Sequence, residues 1–183
     1  MSEPRAASSG GVHAMNADIT TVAADAVVNA ANQHLAGGGG VDGAIHRAAG
    51  PSLMAELRER YDGCPTGGAV ITSAGRLEAR HVIHAVGPRW RDGKHGEPEK
   101  LRSAYRTAFG LAADSGCATV VCPSISTGIY GFPIEMAAPI AVEEARAALA
   151  RPGTPLERIT FALFSEPDLA VFRQALEATP PAS

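Results

Sequence analysis

The segment Ala26-Val27-Val28-Asn29-Ala30-Ala31-Asn32 is followed, after four residues, by Gly37-Gly38-Gly39-Gly40-Val41-Asp42. Its apolar start predicts a buried strand over Ala26–Asn29, and the pattern after the glycines predicts a helix over Val41–Ala49. A glycine-rich turn at the start of a helix leaves backbone N–H groups without partners, and such groups bind phosphate well. The segment therefore predicts an α/β protein that holds an anion at this turn.

The same alternation of apolar runs and helical patterns continues along the chain and predicts a sheet with helices on both faces. Further strands are predicted at Val12–Met15, Ala69–Ser73, Val82–Val86, Thr119–Cys122 and Thr160–Phe164. Further helices are predicted at Ser52–Tyr61, Pro98–Ser115, from near Pro133, and from the capping residue Ser165 to Ala178. Because Pro139 lies inside the helix near Pro133, we expect a late start or a kink there.

A second glycine-rich turn, Gly128–Gly131, also follows an apolar run and precedes a helix. Glycine makes up 20 of the 183 residues, which is more than the typical share of roughly 7%. Two such turns predict a ligand with two phosphates or one wrapped pyrophosphate, and two flexible loops are the alternative. A dinucleotide dehydrogenase is disfavoured, because Asn32–Ala36 separates the strand from the glycines.

Composition and charge narrow the function classes further. The net charge is −3 and only Lys94 and Lys100 are lysines, so binding along an extended nucleic acid is not expected. The odd number of cysteines argues against a disulfide framework. No apolar run is long enough to span a membrane, and we expect a cytoplasmic protein with no membrane partner. Residues 1–11 are read as a disordered lead-in.

Six blocks of sequence, in order, resemble the MacroD-type branch of the macrodomain family. They are Asp18-Ile19-Thr20, Val27-Val28-Asn29-Ala30-Ala31-Asn32, Gly37-Gly38-Gly39-Gly40-Val41-Asp42-Gly43-Ala44-Ile45-His46, Cys64-Pro65-Thr66-Gly67, Val82-Ile83-His84-Ala85-Val86-Gly87-Pro88 and Pro123-Ser124-Ile125-Ser126-Thr127-Gly128-Ile129-Tyr130-Gly131-Phe132-Pro133. One residue departs from the usual pattern, since Ala17 stands where the family usually has glycine.

The resemblance implies a three-layer α/β/α sandwich with a six-stranded mixed sheet over residues 12–178, followed by a tail at 179–183. It implies ADP-ribose and mono-ADP-ribosylated proteins as partners, with no metal or organic cofactor. The implied activity is hydrolysis of mono-ADP-ribose from acidic side chains, deacetylation of O-acetyl-ADP-ribose, or both. The paired glutamates of enzymes that cut ADP-ribose polymers are absent after the glycine run.

The resemblance also assigns roles to individual residues, and each has a plainer structural alternative. Asp18 would read the adenine amino group or cap a helical turn. Asn32 would contact the distal ribose or hold the turn after its strand. Asp42 would orient or activate water at C1″ or only complement the helix dipole. The remaining implied ligand contacts are Ile19, Gly39, Gly40, Val41, the pyrophosphate loop Ser126, Thr127, Gly128 and Ile129, then Tyr130 over the distal ribose and Phe164 against the adenine.

The histidines and cysteines do not have the spacing of a zinc site. We therefore interpret His46 and His84 as hydrogen-bonded structural residues, and Cys117 and Cys122 as buried ones. Three functions remain open at this point: an ADP-ribosyl hydrolase, a non-catalytic reader of ADP-ribosylated proteins, and a hydrolase of ADP-ribosylated nucleic-acid ends. In the hydrolases, Asp42 or the substrate's own α-phosphate would activate the water.

Overall fold

The computed structural model describes residues 10–181 as one six-stranded sheet covered by five α-helices. The strands are β1 (Gly11–Asn16), β2 (Ala26–Ala31), β3 (Ala69–Ser73), β4 (His81–Val86), β5 (Thr119–Cys122) and β6 (Arg158–Leu163). The helices are α1 (Gly40–Ala49), α2 (Ser52–Arg60), α3 (Glu97–Asp114), α4 (Ile134–Ala150) and α5 (Glu166–Ala178), with a short 3₁₀ turn at Ile19–Thr21. The predicted α/β fold with a six-stranded mixed sheet is confirmed.

The strands lie in the order β1-β6-β5-β2-β4-β3. Neighbouring strands are parallel except β3, which runs antiparallel to β4. Parallel neighbours need long crossover connections, which the helices supply. As a result, the carboxyl ends of five strands meet at one edge of the sheet.

The two faces of the sheet are covered by different helices. Val28 and Ile83 belong to a buried cluster with side chains of α3, α4 and α5. Val27 and Val82, one residue earlier in each strand, pack instead with residues of α1 and α2. Since successive strand residues point to opposite faces, both faces of the central strands are buried. This explains their continuous apolar sequences and gives three layers.

The observed element boundaries lie within about two residues of those that the sequence predicts. The expected late start near Pro139 is wrong, because α4 begins at Ile134, directly after Pro133; the alternative, a kink at Pro139, stays a prediction. Proline removes one backbone bond, to the carbonyl four residues earlier, and here that residue is the exposed Glu135. Water can therefore replace the lost bond. The predicted cap of α5 is confirmed, since Ser165 Oγ accepts a hydrogen bond from Asp168 N at 3.3 Å.

The structure describes neither end of the chain completely. Residues 1–9, which make up most of the predicted lead-in, and residues 182–183 lie outside the described part of the chain. Within residues 10–181, no helix is both long and apolar enough to cross a membrane.

Candidate active site

The predicted ligand contacts come together because each follows a strand at the same edge of the sheet. Asp18 follows β1, Asn32 follows β2, Ser126 follows β5 and Phe164 follows β6. Asp42 reaches this edge from the first turn of α1. Ligands of open α/β sheets bind in the crevice beyond the carboxyl ends of the strands, so this edge is the candidate site.

The first glycine loop, residues 37–40, leads directly into α1. Gly37 and Gly40 have φ angles of +78° and +59°, a left-handed conformation that glycine adopts without steric cost. Within residues 10–181, the backbone N–H groups of residues 38–42 have no acceptor. They lie at the positive end of the helix dipole, so the loop is suited to an anion.

The second glycine loop, residues 126–131, is fixed by its neighbours. The buried Tyr105 hydroxyl accepts a hydrogen bond from Ile125 N at 2.8 Å, and Phe132 N donates to Ser126 O at 2.9 Å. Ser126 has a φ of +69°, and non-glycine residues rarely adopt this conformation outside functional sites. In the described chain, the backbone N–H groups of residues 126–130 have no acceptor. The loop therefore presents a preformed set of donors.

The two glycine loops face each other across the site. Ile129 is 81% exposed, and its Cδ1 would lie 4.0 Å from a Cβ built on Gly39. The hydroxyl of Thr127 is already bonded to Ser124 Oγ at 2.8 Å, so its donor is not free for phosphate. Ser126 Oγ is buried and has no partner within residues 10–181. The phosphate contacts of this loop would come mainly from the backbone.

Asp42 is almost buried, at 6% exposure, and is held from two sides. Its Oδ1 accepts a hydrogen bond from Asn29 Nδ2 at 2.8 Å and lies 3.3 Å from His46 Nε2. Its Oδ2 lies beside the first glycine loop, 3.5 Å from the position of a Cβ on Gly38. One carboxylate oxygen is thus anchored while the other borders the loop.

The hydrogen-bonded side chains that hold Asp42 continue from Asn29 to two further strands, β4 and β3. Asn29 Nδ2 also lies 3.2 Å from His84 Nδ1, and His84 Nε2 lies 3.0 Å from Thr72 Oγ1. Burial, followed by the nearby His46, lowers the pKa of His84 to about 4. His84 is therefore neutral near pH 7, and its Nδ1 accepts from Asn29 while its Nε2 donates to Thr72. This agrees with the interpretation of His84 as structural.

Asn32 lies at the predicted site, but most of the hydrogen-bonding capacity of its amide is already used within the protein. Its Oδ1 accepts hydrogen bonds from His34 N at 3.1 Å and Ala36 N at 3.2 Å. Its Nδ2 donates to Gly37 O at 2.9 Å. An amide nitrogen has two donor hydrogens and an amide oxygen accepts about two bonds. Asn32 therefore holds the turn, and one N–H of its amide is left without a partner in the described chain.

Asp18 caps the 3₁₀ turn after β1, which was the structural alternative for this residue. Its Oδ1 accepts from Thr20 N at 3.0 Å and Thr20 Oγ1 at 2.7 Å, and the hydroxyl bond lowers the pKa of the carboxyl. Within residues 10–181, Oδ2 has no partner and remains available to an amino donor. The side chain of Ile19 is buried in the core, so Ile19 would contact a ligand through its backbone.

Asp18→Ala is expected to weaken ADP-ribose binding about fivefold, because an exposed carboxylate gains about 1 kcal/mol from one bond to a neutral donor. Isothermal titration calorimetry measures this loss. The matched ligand carries hypoxanthine in place of adenine and lacks the amino donor, so its affinity should change less. Equal losses for the two ligands would mean that Asp18 acts only as a cap.

The two predicted aromatic contacts lie at opposite ends of the site. Phe164 is 57% exposed immediately after β6, so its ring is accessible for stacking. Tyr130 is half-buried, and the Arg89 guanidinium lies 4.7 Å from its ring centre. One ring face of Tyr130 is thus covered by a cation, so a ligand would have to contact the other face.

The cysteines and most histidines do not assemble into a metal site. Cys64, Cys117 and Cys122 are buried and unpaired. In the described part of the chain, one group of potential ligands lies close together, namely Asp92, His95 and Glu97. The Glu97 carboxylate, however, already accepts hydrogen bonds from the backbone N–H groups of residues 91, 92, 93 and 95. Its role is to hold that loop.

Several residues of the site were not singled out from the sequence. His46 was interpreted from the sequence as a hydrogen-bonded structural residue, but its contact with Asp42 was not predicted, although a spacing of four residues on a helix places two side chains together. Gly87 packs against Ser126, Tyr105 anchors Ile125, and Arg89 covers Tyr130. These three contacts join segments that are distant in sequence, and no local pattern predicts them.

Comparisons with known proteins agree with the fold and the motifs. A family model described as Macro domain matches residues 28–141. The chain is 54% identical over 167 residues to a macro domain-containing protein of Chlorobaculum tepidum, which covers 91% of this chain and 96% of that protein. It is 48% identical over 168 residues to an O-acetyl-ADP-ribose deacetylase of Citrobacter rodentium, with coverage of 90% and 94%.

A solved structure is similar over most of the chain. The Trypanosoma brucei macrodomain in complex with ADP-ribose matches with a TM-score of 0.83 at 38% identity, over 90% of this chain and 68% of that one. The residues that the family model matches include both glycine loops, and the sequence resemblance is confirmed. The chain therefore belongs to the macro domain family.

Proposed function

We propose that the protein binds ADP-ribose at this edge of the sheet and hydrolyses its esters. The substrates would be O-acetyl-ADP-ribose and mono-ADP-ribose attached to acidic side chains of proteins. One observation carries the proposal: a nearly buried carboxylate, Asp42, is anchored through one oxygen beside two facing loops with free N–H groups. Relatives named O-acetyl-ADP-ribose deacetylase support the same chemistry.

Each part of ADP-ribose has a matching element in the site. The adenine fits between Asp18 and Phe164, and the pyrophosphate fits the N–H groups of the two glycine loops. The distal ribose then lies beside the remaining N–H of Asn32 and the face of Tyr130 opposite Arg89. In this pose, C1″ of the distal ribose comes close to Asp42.

The reaction is the addition of water to the ester linkage. Attack at C1″ breaks the bond from C1″ to the ester oxygen, and the carrier leaves as a carboxylate. Attack at the acyl carbon of O-acetyl-ADP-ribose releases acetate and free ADP-ribose. The proton of the water passes to Asp42 Oδ2 or to an oxygen of the substrate's α-phosphate, and a positioned base of either kind accelerates the attack.

A non-catalytic reader is the second candidate, and one observation favours it. Asp42 is only 6% exposed, and a base must come within hydrogen-bond reach of the water that it activates. The anchored, hydrogen-bonded network nevertheless favours the enzyme, because a site that only binds has no need of a buried, oriented carboxylate at this position.

The test combines binding and turnover on the same protein. We expect calorimetry to detect ADP-ribose binding and weaker binding of ADP, since ADP lacks the distal ribose that reaches Asn32. Chromatography should then detect free ADP-ribose released from O-acetyl-ADP-ribose and from a protein modified on glutamate. Tight binding without release from either substrate would establish the reader, and absence of binding would refute both candidates.

A further inference from the structure

A basic cleft of about 580 Å³ adjoins the ribose end of the site. Asn32 and Tyr130 line it on the side of the proposed ligand, and Arg89, Arg91, His95 and Lys100 line it further out. ADP-ribose, as placed above, ends at Asn32 and Tyr130. The cleft therefore lies on the side of C1″ from which the attached carrier extends.

Three of the four basic side chains of this cleft have no acidic partner in the described part of the chain. Within residues 10–181, no carboxylate forms an ion pair with Arg89, Arg91 or Lys100. Two acidic residues lie close to these side chains: Glu97 also lines the cleft, and Asp92 contacts His95. Asp92 Oδ1 accepts from Lys94 N and lies 2.8 Å from His95 Nδ1.

Glu97 fixes the loop that carries Arg91 and His95. Its Oε2 accepts hydrogen bonds from the N–H groups of Arg91 at 3.0 Å and Gly93 at 2.9 Å, and its Oε1 from His95 at 2.7 Å. These backbone bonds hold the pKa of the buried carboxyl well below its usual range. The carboxylate is thereby saturated, and the loop conformation is set before any ligand arrives.

A second tie joins the same loop to the second glycine loop. Trp90 N donates to Tyr130 O at 2.8 Å, and the Trp90 and Phe132 rings lie 4.7 Å apart. Arg89 is therefore held over Tyr130 next to the ribose position. Arginine side chains on a loop with a fixed backbone, beside the scissile linkage, are a feature of specificity for an anionic partner.

We propose that this basic cleft receives the carrier polypeptide and selects carriers with acidic residues next to the modified side chain. The inference rests on the proposed function and specifies the substrate class for that site. Carboxylates of the carrier would pair with Arg91 and Lys100 at the outer end of the cleft, while Arg89 stays stacked on Tyr130. Each pair is solvent-exposed, so the pairs guide and orient the carrier more than they bind it.

The observations favour an acidic polypeptide over a nucleic-acid end. Unpaired bases are normally held by stacking on aromatic side chains. Here Arg89 covers the outer face of Tyr130, and Trp90 is packed against Phe132. The lining also includes the polar pair Gln33 and Thr66, hydrogen-bonded at 2.7 Å, which suits a peptide backbone.

The test uses two peptides that each carry one ADP-ribosylated glutamate and differ only in their flanks, aspartate in one and asparagine in the other. We expect the unmutated protein to release ADP-ribose from the aspartate peptide with about tenfold higher kcat/KM at low salt, and the preference should shrink as salt screens the charges. The double variant Arg91→Gln, Lys100→Gln should lose this preference. Hydrolysis of O-acetyl-ADP-ribose, which has no polypeptide carrier, should stay unchanged.

The matched control removes two exposed arginines away from the site, Arg151→Gln with Arg173→Gln. Arg151 follows α4 at the opposite edge of the sheet and Arg173 lies on α5, so this control should keep the preference. Equal rates for the two peptides, or a preference that survives in the cleft variant, would overturn the inference. Faster, cleft-dependent release from an ADP-ribosylated oligonucleotide end would overturn it in favour of nucleic acid. If O-acetyl-ADP-ribose is not hydrolysed, the proposed function fails, and the affinities of the same peptides still test the cleft.

Discussion

Asp42→Ala is expected to lower the rate of ADP-ribose release about 10²–10⁴-fold, the usual contribution of a positioned base or water-orienting group. Affinity for the product ADP-ribose should change far less, since a charge in the first helical turn is worth below about 1 kcal/mol. An interaction that is made mainly in the transition state shows this separation. Single-turnover release, measured beside calorimetry, resolves the two quantities.

The control for this experiment is Asp42→Asn, which keeps the shape of the side chain. Its amide oxygen still accepts the hydrogen bond from Asn29, so the buried network stays satisfied while the charge and the basicity are removed. A comparable loss of turnover in both variants would assign the effect to chemistry. Turnover near that of the unmutated protein in either variant would leave the substrate phosphate as the base.

Gly87→Ala is expected to weaken ADP-ribose binding about tenfold or more, although residue 87 need not touch the ligand. A Cβ at this position would lie 2.2 Å from Ser126 Oγ and 2.5 Å from Ile125 Cγ2. Ile125 is β-branched and has little rotamer freedom, so the second glycine loop must move. Displacement of a preformed site by about 1 Å reduces function strongly. Overpacking of this kind also lowers the free energy of unfolding by about 1–3 kcal/mol.

The comparison variant is Gly110→Ala, inside α3. A Cβ there meets nothing within 4 Å, and alanine is the better helix former, so stability should hold or rise and affinity should not change. Thermal denaturation and calorimetry on the two variants separate the packing effect from the mutation of a glycine as such. If Gly87→Ala binds ADP-ribose as the unmutated protein does, the loop is more compliant than its contacts imply.

The sequence predicts the order of the strands along the chain and the residues that gather at the candidate site. Apolar runs mark β2, β4 and β5, and the polar and glycine residues that follow them were the candidate ligand contacts, because binding residues are often found on the loops that a rigid scaffold positions. The strand β3 was predicted with its exact bounds, Ala69–Ser73. Its antiparallel direction depends on how it pairs with β4 and cannot be read from the residues of β3 alone.

Side-chain bonding within the site was harder to predict, for a physical reason. The amide of Asn32 was expected to donate to and accept from the ribose, yet its acceptor capacity is taken up by two backbone N–H groups. The hydrogen-bond partners of a side chain depend on which groups the folded chain brings within reach. The contact of Arg89 with Tyr130 and the approach of Gly87 to Ser126 join residues about 40 positions apart, so their discovery required the structure.

The pairing of β1 with β6, which matches Gly11 to Arg158, has a consequence for synthesis of the protein. Both glycine loops and Asp42 belong to residues 26–133 and leave the ribosome while β1 still lacks its neighbour. The strand that positions Asp18 can join the sheet only after the last strand, which ends at Leu163, has been translated. The nascent chain therefore holds the parts of the phosphate and ribose subsites before it can assemble the pocket that reads the base.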